Sequence, residues 1–270
     1  MEQAEIQRAK RKPTENLDTY DLHLRGMASV YHWTKRSVGD ALQLFYKAIE
    51  QDHEFSTAYG AAAWCYYWRM VNGWMEDRGS ETAEVLRLSH SAAELGWDDA
   101  VALSSGGLAL GRVAGEVEAG IEMVDRALVL NSNLASAWNA SGFLRTFLGA
   151  HDLAIEHLNH TMRLNPLDYL IFHTQAATAL AYFIAGRDQL AWKMAEQSCR
   201  LQPRFASALR MAAASSACAG RLVEARQFMT RALEIDPNQR VSNLKSRVGP
   251  FRPQDFAKYV DGLRLAGLPE

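Results

Sequence analysis

Histidine and carboxylate side chains on one short stretch are the residues here that could bind a metal ion. His151, His157 and His160 lie close to Glu156, and imidazole and carboxylate groups are ordinary zinc ligands. His157 and His160 are three residues apart, which places them on one face of a helix. They fall between the positions of an apolar stripe, so a solvated outer face explains them, and no third ligand follows at a fixed spacing. We therefore predict no metal and no cofactor.

Residues suited to catalysis lack the setting that catalysis needs. The pair Gly106-Gly107 is not placed between a strand and a helix, and no Lys-Ser/Thr pair follows it, so it does not resemble a phosphate-binding loop. Cys199 and Cys218 stand in apolar helical stretches, where a thiol is usually a small buried hydrophobe rather than a nucleophile. The residue pattern therefore does not indicate an enzyme.

Composition limits the environment and the partners. The 270 residues are 48% hydrophobic and 22% charged, which predicts a folded chain. Lysine and arginine number 29 against 31 acidic residues, so no net positive field favours nucleic acid or an anionic membrane, and we predict neither as a partner. Three cysteines without short spacing suit a reducing compartment, and no secretion signal or membrane span is visible, so we expect a cytoplasmic protein.

An internal repeat organises most of the sequence. Four segments with similar endings close at spacings of 34, 37 and 34 residues, and four glycines recur at the same spacings. Two looser copies end at His53 and Asp98, which makes six units. Apolar residues recur at intervals of three and four, so each unit is predicted to be a helical hairpin, closed by a left-handed glycine and stopped near a proline. The endings are Ser132, Pro166, Pro203 and Pro237, and the glycines are Gly115, Gly149, Gly186 and Gly220.

The fourth hairpin carries a family resemblance. It reads Trp138-Asn-Ala-Ser-Gly142, then Ala154, Leu158, Thr161 and Pro166, and it resembles the tetratricopeptide pattern. Leu86 and Gly120 depart from that pattern in earlier copies. The resemblance implies an all-α fold, a right-handed α-solenoid of about six hairpins over residues 18–237, in which the first helix of each hairpin lines a concave groove.

The two ends of the chain resemble a narrower group, the carboxy-terminal repeat region of bacterial class III adenylate cyclases of the rhizobial type. The segments that carry this resemblance are 11–22, 241–244, 250–253 and 266–269. It implies a regulatory region and no cyclase chemistry. Residues 1–17 are predicted to be a basic leader or linker, whose run Arg8, Lys10, Arg11 and Lys12 is better explained by solvation than by phosphate binding. Residues 238–270 are predicted to cap the array through a helix over 253–265 with an apolar stripe of Phe256, Tyr259, Val260 and Leu263.

The helical register then predicts which side chains face the groove. If Trp138 and Gly142 pack between the helices, then Asn139 and Phe143 point toward the groove. The same register applied to the other hairpins adds further residues. In the aromatic cluster at 64–68 both groove exposure and core packing remain open. The predicted binding residues are Trp64, Tyr67, Trp68, Arg112, Asn139, Phe143, His173 and Arg210.

The predicted function is an interaction scaffold or regulatory module that binds a protein or peptide in this groove. A clamp for acidic peptide termini is disfavoured, because only Arg112 and Arg210 supply positive charge and they are two or more repeats apart. Two alternatives stay open, a sensor of a small apolar or lipid-like ligand and a non-catalytic fragment of a larger cyclase. A homo-oligomer also stays open.

Overall fold

The computed structural model describes residues 18–270, and every regular element in this range is helical, which confirms the all-α prediction there. The predicted leader 1–17, with its basic run, lies outside the described residues. None of the helices in 18–270 combines the length and apolar character needed to cross a membrane. The helices are α1 Thr19–Val30, α2 Lys35–Gln51, α3 Ser56–Val71, α4 Arg78–Leu95, α5 Ala100–Ala109, α6 Val117–Leu130, α7 Ala135–Leu148, α8 His151–Leu164, α9 Ile171–Ile184, α10 Asp188–Leu201, α11 Ala206–Cys218, α12 Leu222–Ile235, α13 Val241–Leu244 and α14 Pro253–Leu265.

Six consecutive helical hairpins, α1–α2 through α11–α12, match the six predicted units. The four repeating glycines adopt the predicted left-handed backbone, with φ between 76° and 85°, in the turns that join the paired helices. Glycine suits these turns because it has no Cβ to clash in that conformation. The local punctuation of the sequence therefore sets the hairpin boundaries.

Small residues let paired helices approach closely. A Cβ at Gly142 would lie 2.6 Å from Leu158 Cγ, and one at Gly107 would lie 2.7 Å from the carbonyl oxygen of Gly120. Gly142 and Gly107 therefore mark backbone contacts in the α7–α8 and α5–α6 hairpins.

The first described helix begins at a side-chain cap. Asp18 accepts a hydrogen bond from the Asp21 backbone N–H at 2.8 Å, and the Asp21 side chain accepts one from the Asp18 N–H. This reciprocal arrangement satisfies N–H groups that a helix start otherwise leaves unpaired. The motif at the amino-terminal end of the repeats thus has a structural role.

The described chain divides into two compact units. Unit 1 comprises residues 18–70 and 74–137, and unit 2 comprises residues 71–73 and 138–270. The core of unit 1 includes a cluster around Leu103, Leu110 and Met123. In unit 2, Leu158 and Leu209 are completely buried. The division predicted at residue 237 stays a prediction.

The predicted helix at the end of the chain forms as α14 and packs in unit 2. Tyr259, Val260 and Leu263 are buried, and a Cβ at Gly262 would lie 3.0 Å from the Ala214 carbonyl oxygen on α11. Asp255 lies outside the predicted apolar stripe but is also buried, and its carboxylate pairs with Arg252 Nε at 2.6 Å. The two carboxy-terminal motifs meet, because the Val241 N–H donates to the Pro269 carbonyl oxygen at 2.8 Å.

Candidate functional site

Three predicted binding residues meet in unit 1 with a tryptophan that the repeat pattern does not single out. We call Trp33, Trp64, Tyr67 and Trp68 the aromatic patch. The Trp68 ring lies 4.4 Å from Trp33, 5.7 Å from Trp64 and 5.5 Å from Tyr67, measured between ring centroids. Trp68 and Tyr67 are 1% exposed, whereas Trp33 and Trp64 are half-buried. The patch therefore has a buried base and two indoles with accessible surface.

Trp33 has an unusual backbone. Its φ is 51°, and within residues 18–270 it is the only residue other than glycine with a positive φ. A left-handed backbone costs a bulky residue about 1–2 kcal/mol, so the surrounding contacts must enforce it. The residue stands in the turn between α1 and α2, outside the helical period, so sequence analysis missed it.

Arg112 lies beside the base of the patch. The helix α5 continues into a π-helical turn, Leu110–Ala114, and this turn carries Arg112. Its guanidinium carbon lies 5.7 Å from the Tyr67 ring centroid, and the side chain is 5% exposed. Burial raises the pKa of Tyr67 to about 12, and the positive Arg112 opposes that rise. The pair thus holds a neutral phenol next to a cation.

Three further predicted residues lie in the interior of unit 2. The Asn139 amide donates to Thr174 Oγ1 at 2.9 Å, and the Phe143 and His173 rings lie 5.4 Å apart. Asn139, Phe143 and His173 are each 7% exposed or less. These contacts join α7 to α9, the first helices of consecutive hairpins.

Arg210 stands apart from this trio. It is 4% exposed on α11, where Nη2 donates to the Val71 carbonyl oxygen at 3.3 Å and Nη1 to Gln239 Oε1 at 3.5 Å. The geometry thus divides the eight predicted residues into the patch with Arg112, the α7–α9 trio and Arg210. Only Trp64 among them is half-buried rather than buried, and a binding role for each stays a prediction.

Two of the histidines considered as metal ligands, His157 and His160, pack against Trp138. The rings of His157 and His160 lie 4.7 and 4.6 Å from the Trp138 ring, edge to face, and His157 Nδ1 is 3.0 Å from Ser141 Oγ. The predicted solvated outer face is therefore wrong, because both imidazoles are half-buried against α7. In residues 18–270 no group of three or more His, Cys, Asp or Glu side chains is placed to hold a metal ion.

The cysteines behave largely as expected. Cys199 is 3% exposed, and burial raises the pKa of its thiol to about 12. Cys218 is only half-buried, and burial again raises its pKa. A thiol with a raised pKa is protonated near neutral pH, so neither is an activated nucleophile.

Comparison with known proteins identifies the fold. No protein-family model matches the chain, and no curated protein matches it. A tetratricopeptide repeat protein from Parabacteroides merdae is similar with a TM-score of 0.56 at 15% identity, over 98% of this chain and 90% of its own. The structure of the APC/C hetero-tetramer Cut9-Hcn1 is similar with a TM-score of 0.64 at 16% identity, over 98% of this chain and 45% of that one. The human IFIT1 dimer with m7Gppp-AAAA gives 0.64 at 17% identity, over 80% and 50%.

These similarities show a fold of tetratricopeptide-type helical hairpins, as the repeat pattern predicts. The chain spans about half the length of the Cut9-Hcn1 and IFIT1 chains that it matches. At such identities the likeness establishes the fold alone.

Proposed function

We propose that this protein is an interaction module that binds a peptide segment of a partner protein, with the aromatic patch of unit 1 as its contact surface. The single observation that carries the proposal is the pair of half-buried indoles, Trp33 and Trp64, on the buried base of Trp68. Tryptophan is enriched among residues that dominate binding energy, because it buries a large area at low cost in conformational entropy.

The geometry of Trp33 supports the same assignment. The left-handed backbone conformation is energetically unfavourable for tryptophan, and residues with such strained backbones cluster at ligand-binding positions. Here the strained backbone holds the Trp33 ring 6.3 Å from Trp64, edge to face. The surface is therefore organised before a partner arrives, which lowers the entropy lost on binding.

The fold agrees with a binding role. The similar Cut9-Hcn1 structure is a hetero-tetramer, and the similar IFIT1 structure is a dimer with m7Gppp-AAAA. A protein partner suits this chain better than a polyanion, because its net charge is −2. We further propose that the module binds rather than catalyses, which the raised pKa values of its thiols support.

A finer proposal concerns the biological setting. The end segments that resemble the repeat region of class III adenylate cyclases support a regulatory role in signalling. The parts of these segments that the structure describes also have structural roles, in the cap of α1 and in the hydrogen bond between Val241 and Pro269. Adding the full chain to a class III cyclase catalytic domain and measuring cyclic AMP production tests this setting, and unchanged production would contradict it.

The binding proposal is tested by peptide selection on the immobilised full chain, followed by affinity measurement with two variants. Trp64→Ala should weaken the selected peptides about tenfold or more, as expected for an interface anchor. Trp97→Ala is the matched control, since Trp97 is 63% exposed, lies outside the patch and should leave affinity unchanged.

Two results would contradict the proposal. One is a chain that selects no peptide, and the other is a Trp64→Ala variant that binds as well as the wild type while both variants remain folded by circular dichroism. Saturable binding of a small apolar compound to the patch without any peptide would favour the sensor instead.

A further inference from the structure

The guanidinium of Arg210 is buried in unit 2 without a carboxylate. Its hydrogen bonds go to two neutral acceptors, the Val71 carbonyl oxygen at 3.3 Å and Gln239 Oε1 at 3.5 Å, and both are long. Its Nε has no hydrogen-bond partner, and no ion pair to Arg210 occurs within residues 18–270. Arginine keeps its charge in proteins, and a buried charge is costly unless it is paired. The site therefore lacks an anionic acceptor.

A second unpaired donor adjoins the first. Gln239 is completely buried, and its Nε2 has no hydrogen-bond partner. That nitrogen belongs to the same amide whose oxygen faces Arg210. Asp236 lies three residues before Gln239, but its carboxylate is paired with Arg247. Two buried hydrogen-bond donors without a partner, Arg210 Nε and Gln239 Nε2, therefore belong to side chains that contact each other, and the neighbouring Asp236 carboxylate is already paired with Arg247.

We propose that Arg210 and Gln239, both within unit 2, bind one carboxylate of a partner peptide, an inference that rests on the proposed peptide-binding function. One carboxylate carries a single negative charge, which matches the single uncompensated guanidinium. A carboxylate is planar and accepts two parallel hydrogen bonds from an arginine edge. A phosphate would bring close to two negative charges to a site with one unpaired cation.

The sequence argument against an acidic-peptide clamp does not apply to this site. That argument required several convergent cations along one groove, because an anion is costly to desolvate. Arg210 is buried, where one charge-assisted hydrogen bond is stronger, and Gln239 supplies the second donor from the turn after α12. A single cation with a neutral donor is therefore sufficient.

Acetate is the probe for the full chain labelled with nitrogen-15. We expect the Arg210 Nε–H resonance to shift and saturate as sodium acetate replaces sodium chloride at constant ionic strength. Gln239→Leu should weaken acetate binding about tenfold or more, the loss expected for one hydrogen bond to a charged group. Arg221→Gln removes the same charge from a half-buried arginine elsewhere in unit 2 and should leave the acetate affinity unchanged.

Three results would overturn the inference. The first is that acetate does not shift the Arg210 Nε–H resonance. The second is that sodium chloride shifts this resonance as much as sodium acetate does. The third is that the Gln239→Leu variant binds acetate with the affinity of the wild type. Acetate should raise the melting temperature of the wild type by binding the folded state, and Arg210→Met should abolish that rise. If this variant does not fold, the Gln239→Leu measurement decides.

The selected peptides show whether the carboxylate comes from a peptide carboxy terminus or from an Asp or Glu side chain. They also distinguish failure of the carboxylate site from failure of the proposed peptide-binding function. A peptide that moves the Arg210 resonance only with a free carboxy terminus assigns the main-chain carboxylate, and one that does so when amidated assigns an Asp or Glu side chain. Peptides that bind through the patch without moving Arg210 overturn this inference and leave the proposed function intact. Acetate binding without any peptide binding overturns the proposed function and leaves the carboxylate site.

Discussion

The imidazole of His23 lies between Phe45 and Phe55 in unit 1, with ring centroids 5.6 and 5.7 Å away. It is 9% exposed, and its Nδ1 has no hydrogen-bond partner. Burial lowers the pKa of His23 to about 4, and the negative charge of Asp99 opposes this only partly. The folded state therefore holds His23 neutral, whereas the unfolded chain protonates it near its ordinary pKa of about 6.5.

This difference predicts a loss of stability in mild acid. Above a pH of about 6.5 the contribution of His23 is fully present, and it is lost as the pH falls toward the folded pKa, because the unfolded state binds the additional proton. Lowering the pH from about 7 to about 5 should reduce the free energy of unfolding by about 2 kcal/mol through this residue.

Urea unfolding of the wild type and of His23→Phe at both pH values measures the effect. The variant should lose that part of the pH dependence. His90→Gln, which changes a side chain that is 58% exposed, should retain it. An equal pH dependence in the wild type and in His23→Phe would show that His23 is not the group responsible.

The close contact between α7 and α8 depends on the glycine at position 142. At Gly142 an added Cβ would lie 2.6 Å from Leu158 Cγ and 2.9 Å from the Ala154 carbonyl oxygen. The nearby backbone cannot move aside as a flexible side chain can, so α7 and α8 would have to separate. Gly39 lies within α2 with nothing within 4 Å of its Cβ position.

Gly142→Ala and Gly39→Ala should therefore change stability in opposite directions. Gly142→Ala should destabilise the protein by about 1–3 kcal/mol through overpacking. Gly39→Ala should stabilise it by about 0.5–1 kcal/mol, because alanine loses less backbone entropy in a helix. Chemical denaturation of both variants checks the pair, and a neutral Gly142→Ala would contradict the close helix contact.

The same elements show what sequence could predict. Gly149 and Pro166 mark helix ends because glycine and proline act on their own local backbone, so the hairpins follow from residue type and spacing. Trp33 and Gln239 could not be predicted, since both stand in turns outside the helical period. The burial of Arg112 depends on how neighbouring helices pack, which no residue spacing encodes. The hairpins and several residues of the candidate sites were therefore predictable, whereas the burial and the contacts of those residues were not.

At the scale of the whole molecule, a helical-repeat fold must cover its last hairpin, because each hairpin buries its apolar side against the next. In unit 2 the helix α14 provides this cover for α11. Leu263 is completely buried, Tyr259 is 3% exposed and its ring meets Phe183 edge to face at 6.2 Å. Lys258 Nζ also donates to Asp188 Oδ1 at 2.8 Å. These contacts tie α14 to three helices of unit 2.

Leu263→Ala should therefore destabilise unit 2 by about 2–5 kcal/mol, the cost of a cavity in a closely packed interior. Arg264→Ala changes the exposed side of the same helix, where surface ion pairs with Asp261 and Glu270 contribute little, so it should change the free energy of unfolding far less than Leu263→Ala does. Each helical hairpin of a repeat array is stabilised mainly by its nearest neighbours. The loss of amide hydrogen-exchange protection in Leu263→Ala should therefore be largest in α11 and smaller in α7. Equal loss of protection in both helices would mean that unit 2 unfolds as one cooperative block, and unchanged protection in α11 would mean that α14 does not cap the array.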